Sequence, residues 1–176
     1  DARVLVLHPE YLEDGSYDRA RIALACDIAR EYGLRLALET GIPDASGHKP
    51  DYRSLIDLVD EIGRPDVGIN IDSGHLYFRD RQDVQTVIRE VGPRLFTLHL
   101  HDNYGLRDDH LMPGLGGIDW REVLRALRES PYNGPIMMEM TDQGKEHRSI
   151  PQLGSIGIEQ EIAGASGWLR HLWNTL

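Results

Sequence analysis

Residues 95–103 read Leu95-Phe96-Thr97-Leu98-His99-Leu100-His101-Asp102-Asn103, a short apolar run that turns abruptly to histidine and acid. Side chains alternate across an extended chain, so Thr97, His99 and His101 share one face and Leu98 and Leu100 the other. Apolar runs of the same kind recur at Arg3–Leu7, Leu34–Leu38, Val67–Ile71 and Pro135–Met138. Near-continuous Val, Ile, Leu and Met over so few residues is the pattern of parallel strands buried on both faces. Between the runs lie stretches with helical periodicity. Asp18–Tyr32 lines up Ile22, Cys26 and Ala29, with Ala25 beside them; Pro50–Ile62 lines up Leu55, Leu58, Val59 and Ile62; Gln82–Val91 lines up Val84, Val87, Ile88 and Val91; Trp120–Leu127 is the fourth. Gly33, Gly63 with Pro65, Gly92-Pro93 and Ser130-Pro131 stand where these helices should stop. Strand and helix alternate, which predicts βα units on a parallel sheet.

The residues closing the five runs are His8, Glu39, Asp72, His99 and Glu139, separated by 31, 33, 27 and 40 positions. A (β/α)8 barrel of ~250 residues divides into units of about 31. The spacing therefore predicts an α/β fold of the (β/α)8 TIM-barrel type. Residues 1–176 are expected to form one partial barrel domain, truncated at its N-terminus, with about five of the eight βα units. The chain opens at Asp1-Ala2 and enters Val4-Leu5-Val6-Leu7 at once, which places the remaining units upstream. A closing helix is expected around Glu159–Trp173, and Gly144–Gly157 reads as a polar loop. A doubly wound open sheet is the rival architecture, but no glycine-rich phosphate turn follows any of the runs.

Composition narrows the functional classes. The 29 acidic against 19 basic residues leave a formal charge of −10, without the basic footprint that phosphate neutralisation demands, so nucleic acid is disfavoured as a partner. The apolar runs are far shorter than the ~20 residues of a membrane helix, so no membrane span is expected. The single cysteine, Cys26, lies on a helical stripe as a small buried hydrophobe, which suits a reducing compartment and a cytoplasmic location. A homo-oligomer remains open.

Every run ends, at its C-terminal edge, in a residue able to bind a metal, and parallel barrels build their active sites at that edge. Inward-pointing carboxylates are costly unless compensated. Two glutamates, an aspartate and histidines converging there read as a site for Mn²⁺, Co²⁺, Zn²⁺ or Mg²⁺, and the lack of nearby cysteine argues against a structural zinc site. Taken singly, each has a structural alternative: Glu39 as a helix-capping acid, His99 as a core histidine, Asp119 as the N-cap of the helix that follows it.

The ordered set Leu38-Glu39-Thr40, Asn70-Ile71-Asp72-Ser73-Gly74-His75, Leu98-His99-Leu100-His101-Asp102-Asn103, Pro113-Gly114-Leu115-Gly116 with Ile118-Asp119-Trp120, and Tyr132-Asn133-Gly134-Pro135 leading to Met138-Glu139 resembles the xylose isomerase-like TIM barrels. That superfamily includes sugar phosphate isomerases/epimerases and AP endonuclease family 2. The resemblance implies a divalent-metal-dependent isomerase or epimerase acting on a small sugar-like polyhydroxy carbonyl compound through an enediolate. It implies Glu39, Asp72, His99 and Glu139 as metal ligands, Glu39 and Glu139 as catalytic proton carriers, and His75 as a substrate contact. His8, His101 and His110 are further substrate-contact candidates. His101 stands where the family has lysine, which makes it an extra ligand or a substrate contact. Gly105 stands where the tetrose-to-hexose epimerases have arginine, so their substrate grip does not carry over; Arg107 is near but not aligned. Asp108-Asp109-His110 resembles the Asp-x-His by which AP endonucleases bind further zinc, and His8-Pro9 resembles another ligand of that three-zinc site. The same loop also reads as a lid. An inosose-type dehydratase and a zinc phosphodiesterase are accordingly the alternatives to an epimerase.

Overall fold

The computed structural model describes residues 3–12, 14–41, 51–78, 81–140 and 155–176, with residues 155–158 described by their backbone alone. Four strands alternate with helices: β1 (Val4–Leu7), α1 (Arg19–Glu31), β2 (Arg35–Glu39), α2 (Tyr52–Ile62), β3 (Val67–Asp72), α3 (Ser73–Tyr77), α4 (Val84–Val91), β4 (Leu95–His99), α5 (Trp120–Glu129) and α6 (Ser155–Asn174). All pairings are parallel and the spatial order is β1-β2-β3-β4, so the chain builds a four-stranded parallel half-barrel with helices outside. Among the described residues no helix is long and apolar enough to cross a membrane.

The fifth predicted strand joins the sheet without becoming a regular one. The Leu100 amide donates to the Met137 carbonyl (2.9 Å) and the Glu139 amide to the Leu100 carbonyl (3.1 Å), which sets Met138 beside Leu100 in parallel. That single bridge is enough to carry Glu139 to the edge where the other strands end.

The helices settle on the stripes that periodicity picked out. Ile22, Cys26 and Ala29 are buried under α1, Leu55, Leu58 and Val59 under α2, Val84, Val87, Ile88 and Val91 under α4, and Val123, Leu124 and Leu127 under α5. Asp18, Asp51 and Asp119 cap α1, α2 and α5, each accepting from a backbone amide of the first turn. Gly63 closes α2 in the left-handed conformation at φ +64. Pro50 lies outside the described residues, as do residues 144–154 of the expected polar loop; α6 already starts at Ser155, so the last residues of that loop are helical. The short α3 has no periodic signal of its own and exists because the Asp72 carboxylate caps it, accepting from the His75 amide at 2.8 Å.

Register fixes which side chains face the site. Glu39 is paired with Asn70 and Asp72 with His99. Ala37, Glu39, Gly68, Asn70 and Asp72 therefore share the inward face, as do Thr97, His99 and His101. A register shift between Ile69 and Asn70 sends Phe96 inward too, over Gly68, where a Cβ would lie 2.4 Å from the Phe96 ring. Glycine at position 68 is what permits that approach.

Candidate metal centre

Four strand ends meet at one point. One atom from each of Glu39, Asp72, His99 and Glu139 can be chosen so that all four lie within 4.8 Å of one another. His99 Nδ1 is 3.3 Å from Glu39 Oε2 and 2.8 Å from Glu139 Oε2. Glu39 and Asp72 are fully buried, His99 is half-buried, and Glu139 opens toward the mouth. Glu39 Oε1 also has His8 Nε2 at 3.0 Å and His75 Nδ1 at 3.4 Å.

A second cluster adjoins the first. His75, His101, Asp108 and His110 also bring one atom each within 4.8 Å. Asp108 Oδ2 is 3.1 Å from His110 Nε2 and 3.5 Å from His75 Nε2, and Asp108 Oδ1 is 3.8 Å from His101 Nε2. His101 Nε2 is also 2.9 Å from Asp72 Oδ1, so it stands between the two clusters. Its ring is fully buried and stacks on His110, with centroids 3.9 Å apart and planes 6° from parallel. Space for that ring exists because position 74 is glycine: a Cβ there would lie 1.8 Å from the His101 ring.

Both clusters fit a divalent cation on their own chemistry. Both Glu39 oxygens, Asp72 Oδ2 and His99 Nδ1 are buried and make no well-directed hydrogen bond beyond the close histidine–carboxylate contacts just given, and the same holds for both ring nitrogens of His101, Asp108 Oδ1 and His110 Nδ1. Packing so many carboxylate and imidazole atoms together away from water is costly while they are not fully hydrogen-bonded, and a cation bound among them would offset that cost. Four ligands held at ~2.1 Å around one ion stand about 3.4 Å apart, near the separations seen here. His75 has the backing usual for a ligand histidine: its Nδ1 donates to the Thr40 carbonyl at 2.8 Å, which leaves Nε2 turned to the second cluster.

Neighbouring charges favour the ionised forms of several of these groups. Burial pushes the Glu39 carboxyl up, but His8 and His99 outweigh it and bring it down to about 2. Burial pushes His75 down, but Asp108 and Asp72 bring it up to about 9. Asp108 is driven well below the ordinary carboxylate range by His110 and His75 against its own burial. Glu39 raises His8; Glu39 and Glu139 raise His99, and Asp108 raises His110, both against burial.

The structure thus brings His8 and all of the predicted ligands and histidines into two adjoining clusters. It also places residues to which the sequence reading gave no role. Thr40 Oγ1 accepts from the Asp72 amide (3.0 Å) while its carbonyl orients His75. Asn70, paired with Glu39 on the inward face, is fully buried with both amide atoms unpartnered; strand alternation could have flagged it. At Gly105 the Arg81 side chain lies across the position where a Cβ would stand, its Nε 2.9 Å away, and Arg107 turns to Asp109 at 3.4 Å.

A parallel half-barrel whose strand ends gather carboxylates and histidines defines a barrel protein with a candidate metal site. The match of residues 1–171 to the family model described as "Xylose isomerase-like TIM barrel" narrows the class, and the chain belongs to that family. It is 30% identical over 151 residues to an uncharacterized protein of Methanocaldococcus jannaschii, covering 79% of this chain and 51% of that protein. It is 32% identical over 127 residues to the D-psicose 3-epimerase of Enterocloster bolteae (67% and 40%) and 29% identical over 121 residues to the inosose isomerase of Bacillus velezensis (65% and 42%). The chain thus spans about half the length of the curated relatives it matches. Among solved structures, a D-tagatose 3-epimerase-like protein superposes with TM-score 0.74 at 23% identity, over 98% of this chain and 62% of the other.

Proposed function

We propose that this chain carries the metal-binding half of an isomerase or epimerase for a small polyhydroxy carbonyl compound, a ketose or an inosose. The observation that carries the reading is the convergence of Glu39, Asp72, His99 and Glu139, several of whose buried atoms meet one another and the neighbouring histidines without forming well-directed hydrogen bonds. The names borne by the D-psicose 3-epimerase and inosose isomerase relatives support the substrate class.

Glu39, Asp72, His99 and Glu139 would hold the cation, which supplies Lewis-acid polarisation of the substrate carbonyl and its neighbouring hydroxyl. The residues do the rest. Glu139, the more open carboxylate, removes the proton from the carbon next to the carbonyl, and the bonding pair moves to form the enediolate. Return of a proton to the opposite face gives the epimer, and return to the neighbouring carbon gives the isomer. Glu39, kept ionised by His8 and His99, is the partner on the far strand of the pair. His75, with Nδ1 fixed on Thr40, offers Nε2 to a substrate oxygen. Loss of a β-hydroxyl from the same enediolate would make the enzyme a dehydratase, which product analysis distinguishes.

The test is Glu139→Gln. Exchange of the substrate α-proton with solvent should fall by 10²-fold or more even when added cation restores the metal content of the unaltered protein; retained exchange at that metal content rules Glu139 out as the base.

A zinc-dependent phosphodiesterase is the second reading. It is favoured by one observation, the His75, His101, Asp108 and His110 cluster beside His8 and Glu39, which provides for more than one ion. Net charge −10 weighs against a nucleic-acid substrate. Metal content separates the readings: three zinc ions per chain in the loaded protein favours hydrolysis.

A further inference from the structure

The loop from Asn103 to Asp119 carries Asp108 and His110, yet between β4 and α5 it has no strand or helix of its own. One buried side chain gathers it. Asp102 is fully buried, and its Oδ1 accepts from the amides of Asn103 (3.0 Å) and Ile118 (3.2 Å). Its Oδ2 accepts from the Gly114 amide (3.0 Å) and from Trp120 Nε1 (2.7 Å) on α5. A carboxylate has about four acceptor sites, and here all are met by donors from both limbs of the loop and the helix after it. Gly116 is part of the same arrangement, since a Cβ there would lie 2.3 Å from Asp102 Oδ1. The backbone of Asp102 adds two bonds with Leu111, each 2.8 Å, directly beside His110.

His110 stands in this loop at φ +48, a left-handed conformation that a histidine keeps only when its surroundings over-determine it. It is fixed on one side by the Leu111 pair and, four residues on, by the Gly114 bond to Asp102. We infer that Asp102 is a positioning residue: its carboxylate clasps the 103–119 loop so that His110 stays stacked on His101 and Asp108 stays against His75. The inference rests on the reading that Asp108 and His110 belong to the functional site. It explains why the Asp102-Asn103 and Pro113-Gly114-Leu115-Gly116 stretches occur together: one supplies the acceptor, the other the donors and the clearance. Asn103 reinforces the clasp, donating through Nδ2 to the Gly74 carbonyl (2.9 Å) and accepting from the Gly105 amide (2.8 Å).

The test is Asp102→Asn, which turns one acceptor oxygen into a donor facing two N–H groups. Histidine labelling by diethyl pyrocarbonate, mapped residue by residue, reads the geometry whether or not substrate or metal is known. Labelling of His110 should rise at least fivefold, with a rise also at the His101 and His75 rings that His110 and Asp108 cover, while that of His99 on β4 stays within twofold. Trp120→Phe, which removes one donor and keeps the carboxylate, should give a smaller rise at His110 with His99 unchanged, and serves if Asp102→Asn does not fold. An unchanged His110 rate in the folded variant, or an equal rise at His99, overturns the inference. In turnover assays the effect of Asp102→Asn should shrink on a His110→Ala background and vanish when Asp108→Asn is added to it. If His110→Ala alone leaves turnover unchanged while the labelling result holds, the site reading fails and the positioning role stands.

Discussion

In the metal-free protein, raising the pH should destabilise the fold through His75. Its Nδ1 is committed to the Thr40 carbonyl, so only a protonated Nε2 can meet Asp108 favourably at 3.5 Å; the neutral ring turns a lone pair toward that carboxylate. Burial opposes the charged form, but Asp108 and Asp72 outweigh it and raise the group from 6.5 to about 9. A raised histidine adds stability that is fully present below its unfolded value and is lost as pH climbs through the folded one. At ~1.4 kcal/mol per tenfold, the rise from 6.5 to about 9 corresponds to about 3 kcal/mol, counted once for the His75–Asp108 pair. For a chain of this size that is a fall in thermal midpoint of roughly 6–12 °C between pH 6 and pH 9.5. The assay is thermal unfolding by circular dichroism with EDTA present, on the unaltered protein and on His75→Gln. Bound cation should abolish or invert the slope, because a ligand histidine must be neutral. A midpoint that stays flat across this range, or a His75→Gln protein that keeps the full slope, refutes the reasoning.

Two further outcomes follow from the same geometry. A divalent cation at 100 times its dissociation constant should stabilise the protein by about 2.7 kcal/mol, seen as an upward midpoint shift of roughly 5–11 °C; Asp72→Asn should remove the part of that shift due to the first cluster. Thr40→Val deletes the acceptor of the buried Asp72 amide and should cost about 1–3 kcal/mol in urea unfolding, with a weakened cation response because Asp72 loses its backing.

What the sequence made legible was whatever local periodicity dictates. Val67–Ile71 and Leu95–Leu100 could be placed because Val, Ile and Leu dominate such short runs, and alternation put Thr97, His99 and His101 on one face of the second, the face that turns inward. Depth and long-range contact were not legible. Alternation turns His101 inward, but its complete burial depends on the space above Gly74, a neighbour only in three dimensions. Asp108 and His110 were picked out through the resemblance to the AP endonuclease Asp-x-His, but their meeting with His75 was not legible, since it depends on Asp102 and Trp120 folding an irregular loop back on itself. The short α3 escaped because a tertiary cap, the Asp72 carboxylate, makes it rather than a hydrophobic stripe. Pro135–Met138 was recognisable as a run, yet its regularity could not be judged, since one bridge to Leu100 is all that joins it to the sheet.

The central claim is that the Glu39, Asp72, His99 and Glu139 site makes a carbon-bound proton of a ketose or inosose exchangeable. Its most direct test is proton NMR in D2O of a ketose and inosose panel with the protein loaded with Mn²⁺, Co²⁺, Mg²⁺ or Zn²⁺. The account predicts loss of the signal from the carbon next to the carbonyl in at least one compound, dependent on added metal and abolished in Asp72→Asn. A loaded protein that exchanges no such proton, but cleaves a phosphodiester bond at an abasic site in DNA, contradicts it.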